Sequence, residues 1–286
     1  MEDVDRREDP EATRTTVRER YGRVAEGSTG CCGAPDGHAE QSRRLGYTDA
    51  EMAAVPQGAD LGLGCGNPTA LASLEPGETV LDLGSGAGFD AFLAARTVGA
   101  DGHVIGVDMT PAMIAKAQEN ARTAGISNTE FRLGTVEELP VESASIDVVI
   151  SNCVINLSPD KPRVFREAFR VLKPGGRLLV SDIVLRAPLP ERVRASVAAY
   201  VGCVAGAALI DDYLQAIGTA GFTAVQVMKE TDASALLSAD CACASDPLVA
   251  DIIAAIGDAE ELRRLVTSVV SITVSARKRD RRGLAV

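Results

Sequence analysis

The run Val80-Leu81-Asp82-Leu83 leads directly into Gly84-Ser85-Gly86-Ala87-Gly88-Phe89, so an apolar strand must turn into a helix through three alternate glycines. Glycine accepts left-handed backbone and lets a ligand approach the main chain closely. About 20 positions on, Asp108 closes the next apolar run, Val104–Val107, where a carboxylate can accept both hydroxyls of a ribose. Asp82 separates the ligand classes that such a unit can serve. A dinucleotide site reads GxGxxG and rests a pyrophosphate on the helix N-terminus. Here the spacing is GxGxG, and a carboxylate two residues before Gly84 would repel a pyrophosphate. A cationic ligand, such as the sulfonium and amino-acid end of S-adenosylmethionine, suits it better. A nicotinamide dinucleotide is the competing reading, and a glycine turn that binds nothing is the plain one.

The same alternation continues along the chain. Thr79–Leu83, Val104–Val107, Phe131–Leu133, Ile146–Ser151 and Arg177–Asp182 are strand candidates, interleaved with helical stretches at Phe89–Val98, Pro111–Ala124 and Lys161–Leu172. Thr110 is placed as an N-cap, with Pro111 and Pro162 early in their helices. This pattern predicts βαβ units, hence a parallel sheet covered on both faces. Downstream, Glu191–Val201 and Asp211–Thr219 read as helices, and Phe222–Met228 and Val269–Ser275 as an edge pair closing the sheet. Residues 1–20 fit a frayed helix, Gly22–Gly37 a loop, Asp49–Ala53 a short helix and Lys173–Gly176 a turn. The stretches 183–215 and 229–268 are surplus to the sheet and suited to a lid. Phe165 and Phe169, at helical spacing, read as core. The basic run Arg277–Arg282 reads as a solvated terminus, and Lys173 and His103 as structural and surface residues.

Composition narrows the partners. A chain of 286 residues suits one large domain, or one with an elaboration, and 46% apolar residues supply its core. A net charge of −11 argues against nucleic acid and anionic membrane, both polyanions. Aromatics at 3%, with no Trp, leave no base-stacking platform. The N-terminal MEDVDRREDPEATR lacks an apolar signal core, and Ala195–Ile210 is too short and too rich in Ser and Gly to span a bilayer. A cytoplasmic protein is the expectation. There, Cys31, Cys32, Cys65, Cys153, Cys203, Cys241 and Cys243 should be reduced thiols, since an odd number at irregular spacing opposes a disulfide framework.

Those thiols address the acceptor. Cys153 follows the fourth strand at its C-terminal end, where doubly wound sheets bind ligands. Cys65 sits in the Gly-flanked loop LGLGCGNP, and Cys203 in the surplus after the fifth strand. Three thiols from three segments are able to meet above the donor. The bland alternative is that each is a small buried hydrophobe, which weighs most on Cys203 among its Ala, Val and Gly neighbours. Zinc would want paired cysteines or nearby histidine; Cys241-Ala-Cys243 has no second pair, and the histidines are His38 and His103. Thiolates select soft ions. Trivalent arsenic binds thiolates and keeps a lone pair that can attack a sulfonium methyl without a general base. Catalysis would then be positioning and exclusion of water.

LDLGSGAGFD followed by VIGVDMT resembles the first two motifs of the class I S-adenosylmethionine-dependent methyltransferases. The fold implied is α/β and Rossmann-like: a seven-stranded, mostly parallel sheet with helices on both faces and one antiparallel strand near an edge, here with a C-terminal substrate or lid elaboration. By that resemblance Asp82, Gly84, Ser85 and Gly86 face the methionine end, with Gly88 completing the loop. Asp108 and Met109 hold ribose and adenine, Thr135, Val136 and Glu137 line the adenine, and Asn152 lies near the donor. Together with YG, LGLGCGNP, SNCVINLSPDK, RVLKPGG and GCVAGA, over about residues 20–215, the chain resembles the arsenite methyltransferase family. The Cys contexts are the specific part of that likeness.

The resemblance implies methylation of arsenite and methylarsenite for arsenic detoxification, using S-adenosylmethionine and a thiol reductant of thioredoxin or glutathione type. Cys153 and Cys203 would hold arsenic throughout, with Cys65 an added thiol for substrate entry and redox cycling. Arsenic is then substrate, not a structural metal. One of Cys31 and Cys32, with Cys32 preferred, matches the family's N-terminal cysteine, and Cys241 and Cys243 match no motif. The implied division is an N-terminal segment with Cys-bearing loops over 1–70, a methyltransferase core over 71–185, and lid elements with closing strands over 186–286. Two rivals stay open: a class I methyltransferase acting on C, O or N of a small metabolite, and a non-catalytic arsenic- or metal-binding protein.

Overall fold

Apolar strands buried on both faces organise the protein. The computed structural model describes residues 9–27, 35–194, 203–232, 260, 264 and 267–280. Its strands are β1 (Thr79–Leu83), β2 (His103–Asp108), β3 (Thr129–Leu133), β4 (Ile146–Asn152), β5 (Leu172–Leu185), β6 (Thr223–Asp232) and β7 (Val269–Arg277). Its helices are α1 (Pro10–Ala25), α2 (Pro35–Leu45), α3 (Asp49–Ala53), α4 (Pro68–Leu71), α5 (Phe89–Val98), α6 (Pro111–Ala124), α7 (Lys161–Val171), α8 (Glu191–Arg194) and α9 (Ile210–Thr219).

The strands form one seven-stranded sheet in the order β3-β2-β1-β4-β5-β7-β6. Neighbours from β3 through β5 pair in parallel, whereas β7 runs antiparallel to both β5 and β6. The expected fold is therefore present, and the late strands do close the sheet, with β7 inside and β6 at the edge.

Successive side chains of β1 enter opposite cores. Leu81 and Leu83 pack with Val149, Phe165 and Val180 on the face covered by α7 and α9. Val80 packs with Phe92, Val104 and Val148 on the face covered by α5 and α6. Each such buried Val, Leu or Phe contributes about 1.5–3 kcal/mol over leaving it exposed. β1 has β2 on one side and β4 on the other, so the connections leave in opposite directions. A crevice opens beyond the strand C-termini at such a switch point.

Several local expectations needed correction. The helix read over residues 1–20 runs on to Ala25, and α2 begins at Pro35, so the loop read over Gly22–Gly37 is shorter at both ends. Lys173–Gly176 is not a free turn. Ile146 pairs with Leu172 and Val148 with Arg177, which makes the segment a bulge at the start of β5. Gly175, at φ +83, supplies the left-handed backbone it needs. Thr110 is the N-cap of α6, but its side chain makes no capping bond.

The basic run also begins inside the fold. Lys278 Nζ donates to the carbonyls of Phe169 and Leu172, at 2.6 and 2.7 Å, and so neutralises the end of α7. Cys31, Cys32, Cys241, Cys243, most of the helix read over Glu191–Val201 and most of the lid stretch 229–268 lie outside the described residues. Among the described residues, no helix is long and apolar enough to cross a membrane.

Candidate functional site

A cavity of about 280 Å³ sits at the switch point, between the ends of β1, β2 and β4 and the helix α1 that covers them. The glycine loop forms one wall. Gly84 and Gly86 adopt φ +67 and +52. A Cβ on Gly84 would come within 2.3 Å of Val154, whereas one on Gly86 would meet nothing nearer than Met113 Sδ at 4.0 Å. Gly84 is therefore glycine for packing, and Gly86 leaves the main chain open to a ligand. The loop is tied to β2: the Gly84 and Ser85 amides donate to the Val107 carbonyl at 2.7 and 3.1 Å. Asp108 returns the favour, accepting from the amides of Gly86 at 3.1 Å and Thr110 at 2.8 Å.

Carboxylates dominate this wall. Asp82 is 2% exposed, and its Oδ2 is buried without a hydrogen-bond partner. Burial, then the nearby Asp90 and Asp108, hold its carboxyl well above the usual range. Burial also raises Asp108. Asp90, in the first turn of α5, is raised by burial to about 6 despite hydrogen bonds from Tyr47 and Asn152. An orphaned buried acceptor among like charges calls for a ligand with positive charge and donor hydrogens. It does not suit a pyrophosphate. Glu137, also buried, accepts from Ser158 Oγ at 2.6 Å and faces the Arg14 guanidinium at 3.6 Å.

The opposite wall carries sulfur. Cys65, Cys153 and Cys203 share one apolar cluster with Leu157, Ile183 and Val269. Cys65 and Cys153 are joined as a disulfide, with Cα atoms 5.3 Å apart across 88 residues of sequence. Cys203 is 4% exposed, and its Sγ donates to the Cys153 carbonyl at 3.1 Å. The expectation of reduced thiols is thus corrected for this pair, because a contact made by strand order leaves no trace in cysteine spacing. The described residues hold no group of three or more His, Cys, Asp or Glu side chains set to bind a metal ion.

Cys153 and Cys203 have φ +60 and +64, a region most non-glycine residues avoid. Such backbone costs on the order of 1–3 kcal/mol and concentrates at functional positions. Behind the thiols, Asp182 accepts from Asn156 Nδ2 at 2.8 Å and Tyr213 Oη at 3.1 Å. Burial raises Asp182 to about 7, against the pull of Lys161 and Tyr213.

The cavity gathers most of the residues singled out by sequence. Asp82, Gly84, Ser85, Gly86, Asp108 and Met109 line it, as do Val136, Glu137 and Asn152, and all three of Cys65, Cys153 and Cys203. Gly88 and Thr135 do not. A Cβ on Gly88 would strike Phe92 at 2.6 Å, so its role is helix packing. Thr135 bridges Glu138 in the connection after β3. Cys31 and Cys32 are outside the described residues.

Sequence reasoning missed Asp90, Tyr47 and Arg14. Asp90 had a usable sign, an acidic residue in the first turn after a glycine loop. Tyr47, which donates to Asp90 at 2.6 Å across 43 residues, had none.

Comparison with known proteins agrees with this geometry. A model described as a methyltransferase domain matches residues 74–232. The chain is 52% identical over 243 residues to an arsenite methyltransferase of Halobacterium salinarum, covering 80% of this chain and 62% of that protein. It is 37% identical over 227 residues to one from Aquipseudomonas alcaligenes, covering 75% and 63%. The chain thus spans a little under two thirds of the length of these curated relatives. Among solved structures, CrArsM, an arsenic(III) S-adenosylmethionine methyltransferase from Chlamydomonas reinhardtii, superposes with a TM-score of 0.61 at 35% identity, over 86% of this chain and 75% of that one. With the domain model matching more than half of its length and CrArsM covered to three quarters, the chain belongs to the methyltransferase-domain family and, within it, to the arsenite methyltransferases.

Proposed function

We propose that the protein methylates trivalent arsenic with S-adenosylmethionine. The observation that carries this reading is one cavity with an acidic glycine-loop wall on one side and Cys65, Cys153 and Cys203 on the other. Bound S-adenosylmethionine would supply an electrophilic methyl group on a sulfonium. Asp82 would accept from its ammonium, the open main chain at Gly86 would admit its amino-acid end, and Asp108 would accept from the ribose hydroxyls. Met109, Val136 and Glu137 would bound the adenine.

Cys153 and Cys203 would hold arsenite or methylarsenite as thiolates, each thiol proton leaving with a hydroxyl of arsenic as water. Arsenic that gives its lone pair to a methyl group becomes formally pentavalent. Return to the trivalent state needs two electrons. The Cys65 thiol supplies them by attacking Cys153 Sγ: the S–S bond forms, the As–S bond to Cys153 breaks with its electron pair returning to arsenic, and the Cys65 proton is lost. The Cys65–Cys153 bond is the product such a step would leave. A thiol reductant, a thioredoxin-type dithiol or two equivalents of a glutathione-type thiol, would then reopen it, which fits a cytoplasmic setting and a role in arsenic detoxification.

In this reading residues 1–70 bring Cys65, and Cys31 or Cys32, to the site. Residues 71–185 bind the donor. Residues 186–286 supply Cys203 and the closing strands β6 and β7. The test is direct: reduced protein with arsenite, donor and excess thiol should release methylated arsenic, followed by chromatography with elemental mass spectrometry. Arsenite recovered unchanged would overturn the reading.

A further inference from the structure

Cys65 is held mainly by one side chain. Asn152, the last residue of β4, accepts from the Cys65 amide through Oδ1 at 2.8 Å and donates through Nδ2 to the Gly66 carbonyl at 2.9 Å. The fit is tight, since a Cβ on Gly64 would lie 2.9 Å from Asn152 Nδ2 and one on Gly66 would lie 2.9 Å from Ser181 Oγ. Ser271 Oγ holds the Cys65 carbonyl from the other side.

The same Nδ2 also faces the donor half. It lies 2.9 Å from Tyr47 Oη and 3.0 Å from Asp90 Oδ2, while Tyr47 Oη donates to Asp90 Oδ1 at 2.6 Å. An amide nitrogen has two hydrogens, and here three acceptors compete for them. How strongly Asp90 draws on that amide depends on its charged neighbours, and Asp82, with its unpartnered oxygen, is one of them.

Resting on the donor and thiol reading above, we propose that Tyr47, Asp90 and Asn152 form a positioning relay that couples occupation of the donor half to the state of the Cys65–Cys153 pair. A cation arriving at Asp82 takes up negative potential that Asp90 otherwise feels. The two amide hydrogens then redistribute between Asp90 and Gly66, and the grip on the Cys65 loop changes with them. Coupling of this kind is reciprocal: the factor by which disulfide closure alters donor affinity is the factor by which donor alters disulfide closure.

The experiment measures S-adenosylmethionine binding by calorimetry, without arsenic, to the disulfide form and to protein reduced with dithiothreitol. Reduction passes two electrons and two protons to the cysteines and leaves cyclic oxidised dithiothreitol. Wild type should show affinities differing by about fivefold or more between the two forms. Saturating donor should shift the disulfide-to-dithiol ratio, in a fixed dithiothreitol redox buffer, by the same factor.

Tyr47→Phe keeps the ring against Phe89, 4.8 Å between centroids, and removes only the hydroxyl. It and Asp90→Asn should bring both factors towards one. Equal affinities in the two wild-type forms would overturn the relay, as would wild-type factors persisting in both variants. Methylation of arsenite alongside equal affinities would sink the relay alone. Failure to bind donor in either form would sink the donor reading with it.

Discussion

The two walls of the cavity are built on opposite plans. From Asp82 to Asp108 the donor wall is one stretch of chain, closed by its own main-chain bonds between Gly84, Ser85 and Val107. The thiol wall joins positions separated by 88 and 50 residues, and only the strand order makes them neighbours. Left-handed backbone falls on glycine in the first wall and on cysteine in the second. On the proposed function the cysteine side chain itself is the reagent there, so glycine is not an option and the fold carries the strain instead. A contiguous wall can be recognised from its own residues; a convergent one exists only once the sheet has formed.

The largest expected effect separates the walls outright. Cys153→Ser or Cys203→Ser should lower methyl transfer by about 100-fold or more. Donor affinity by calorimetry should stay within about twofold of that of the reduced wild-type protein, and a loss of affinity matching the loss of transfer would mean that these cysteines act on the donor wall itself. Asp82→Asn is the converse. Losing a charged acceptor should weaken donor binding by about tenfold to a hundredfold, from the ~1.5–3 kcal/mol of a charge-assisted hydrogen bond. Because Asp82 is buried among like charges with one carboxylate oxygen unpartnered, the variant's melting temperature should not fall.

A smaller effect distinguishes the walls by pH. Asp90, raised to about 6, belongs to the donor side, and Asp182, raised to about 7, lies behind the thiols. Each binds a proton in the folded state that the unfolded chain has released above about pH 4. The part of the stability that these two groups contribute should therefore fall as pH rises from about 4, by on the order of 1 kcal/mol or more, and level off above about 7. In thermal melts, Asp90→Asn should flatten the slope up to about pH 6, and Asp182→Asn should flatten it up to about pH 7. An unaltered slope in both would refute the assignment.

The smallest contrast concerns helix caps. The Thr110 side chain turns to Asp108 and makes no capping bond at the start of α6, whereas Asp160 accepts from the Arg163 amide at 2.9 Å at the start of α7. Asp160→Ala should cost about 1 kcal/mol in chemical denaturation, and Thr110→Ala only a few tenths. Equal costs would show that the bond at α7 adds nothing.

The parallel core was legible because its strands are short apolar runs and its helices open on Pro111 and Pro162. The donor wall was legible because its glycines and Asp108 lie in one window. The bulge at Lys173–Gly176 was not, since a Pro-Gly-Gly segment reads as a turn whether or not the strand continues through it. The disulfide was not, because its partners meet through the pairing of β4 with distant elements. Tyr47 was not, because a tyrosine at the end of a loop looks ordinary until it is found 2.6 Å from Asp90, whose own sign, an acidic residue in the first turn after the glycine loop, went unused. Gly88 and Thr135 show the converse limit: a motif names a loop, but which of its members face the cavity depends on side chains such as Phe92, supplied from elsewhere.

The placement of β7 inside the sheet has a consequence for biosynthesis. Thr273 bonds to Ser181 of β5 across 92 residues of sequence, and among the described residues β6 pairs with β7 alone. A ribosome adding about 5–20 residues per second thus leaves the flank of β5 bare for roughly 5 to 20 seconds. During that interval the nascent chain offers an open template of main-chain amides and carbonyls, the kind of edge on which another chain can pair.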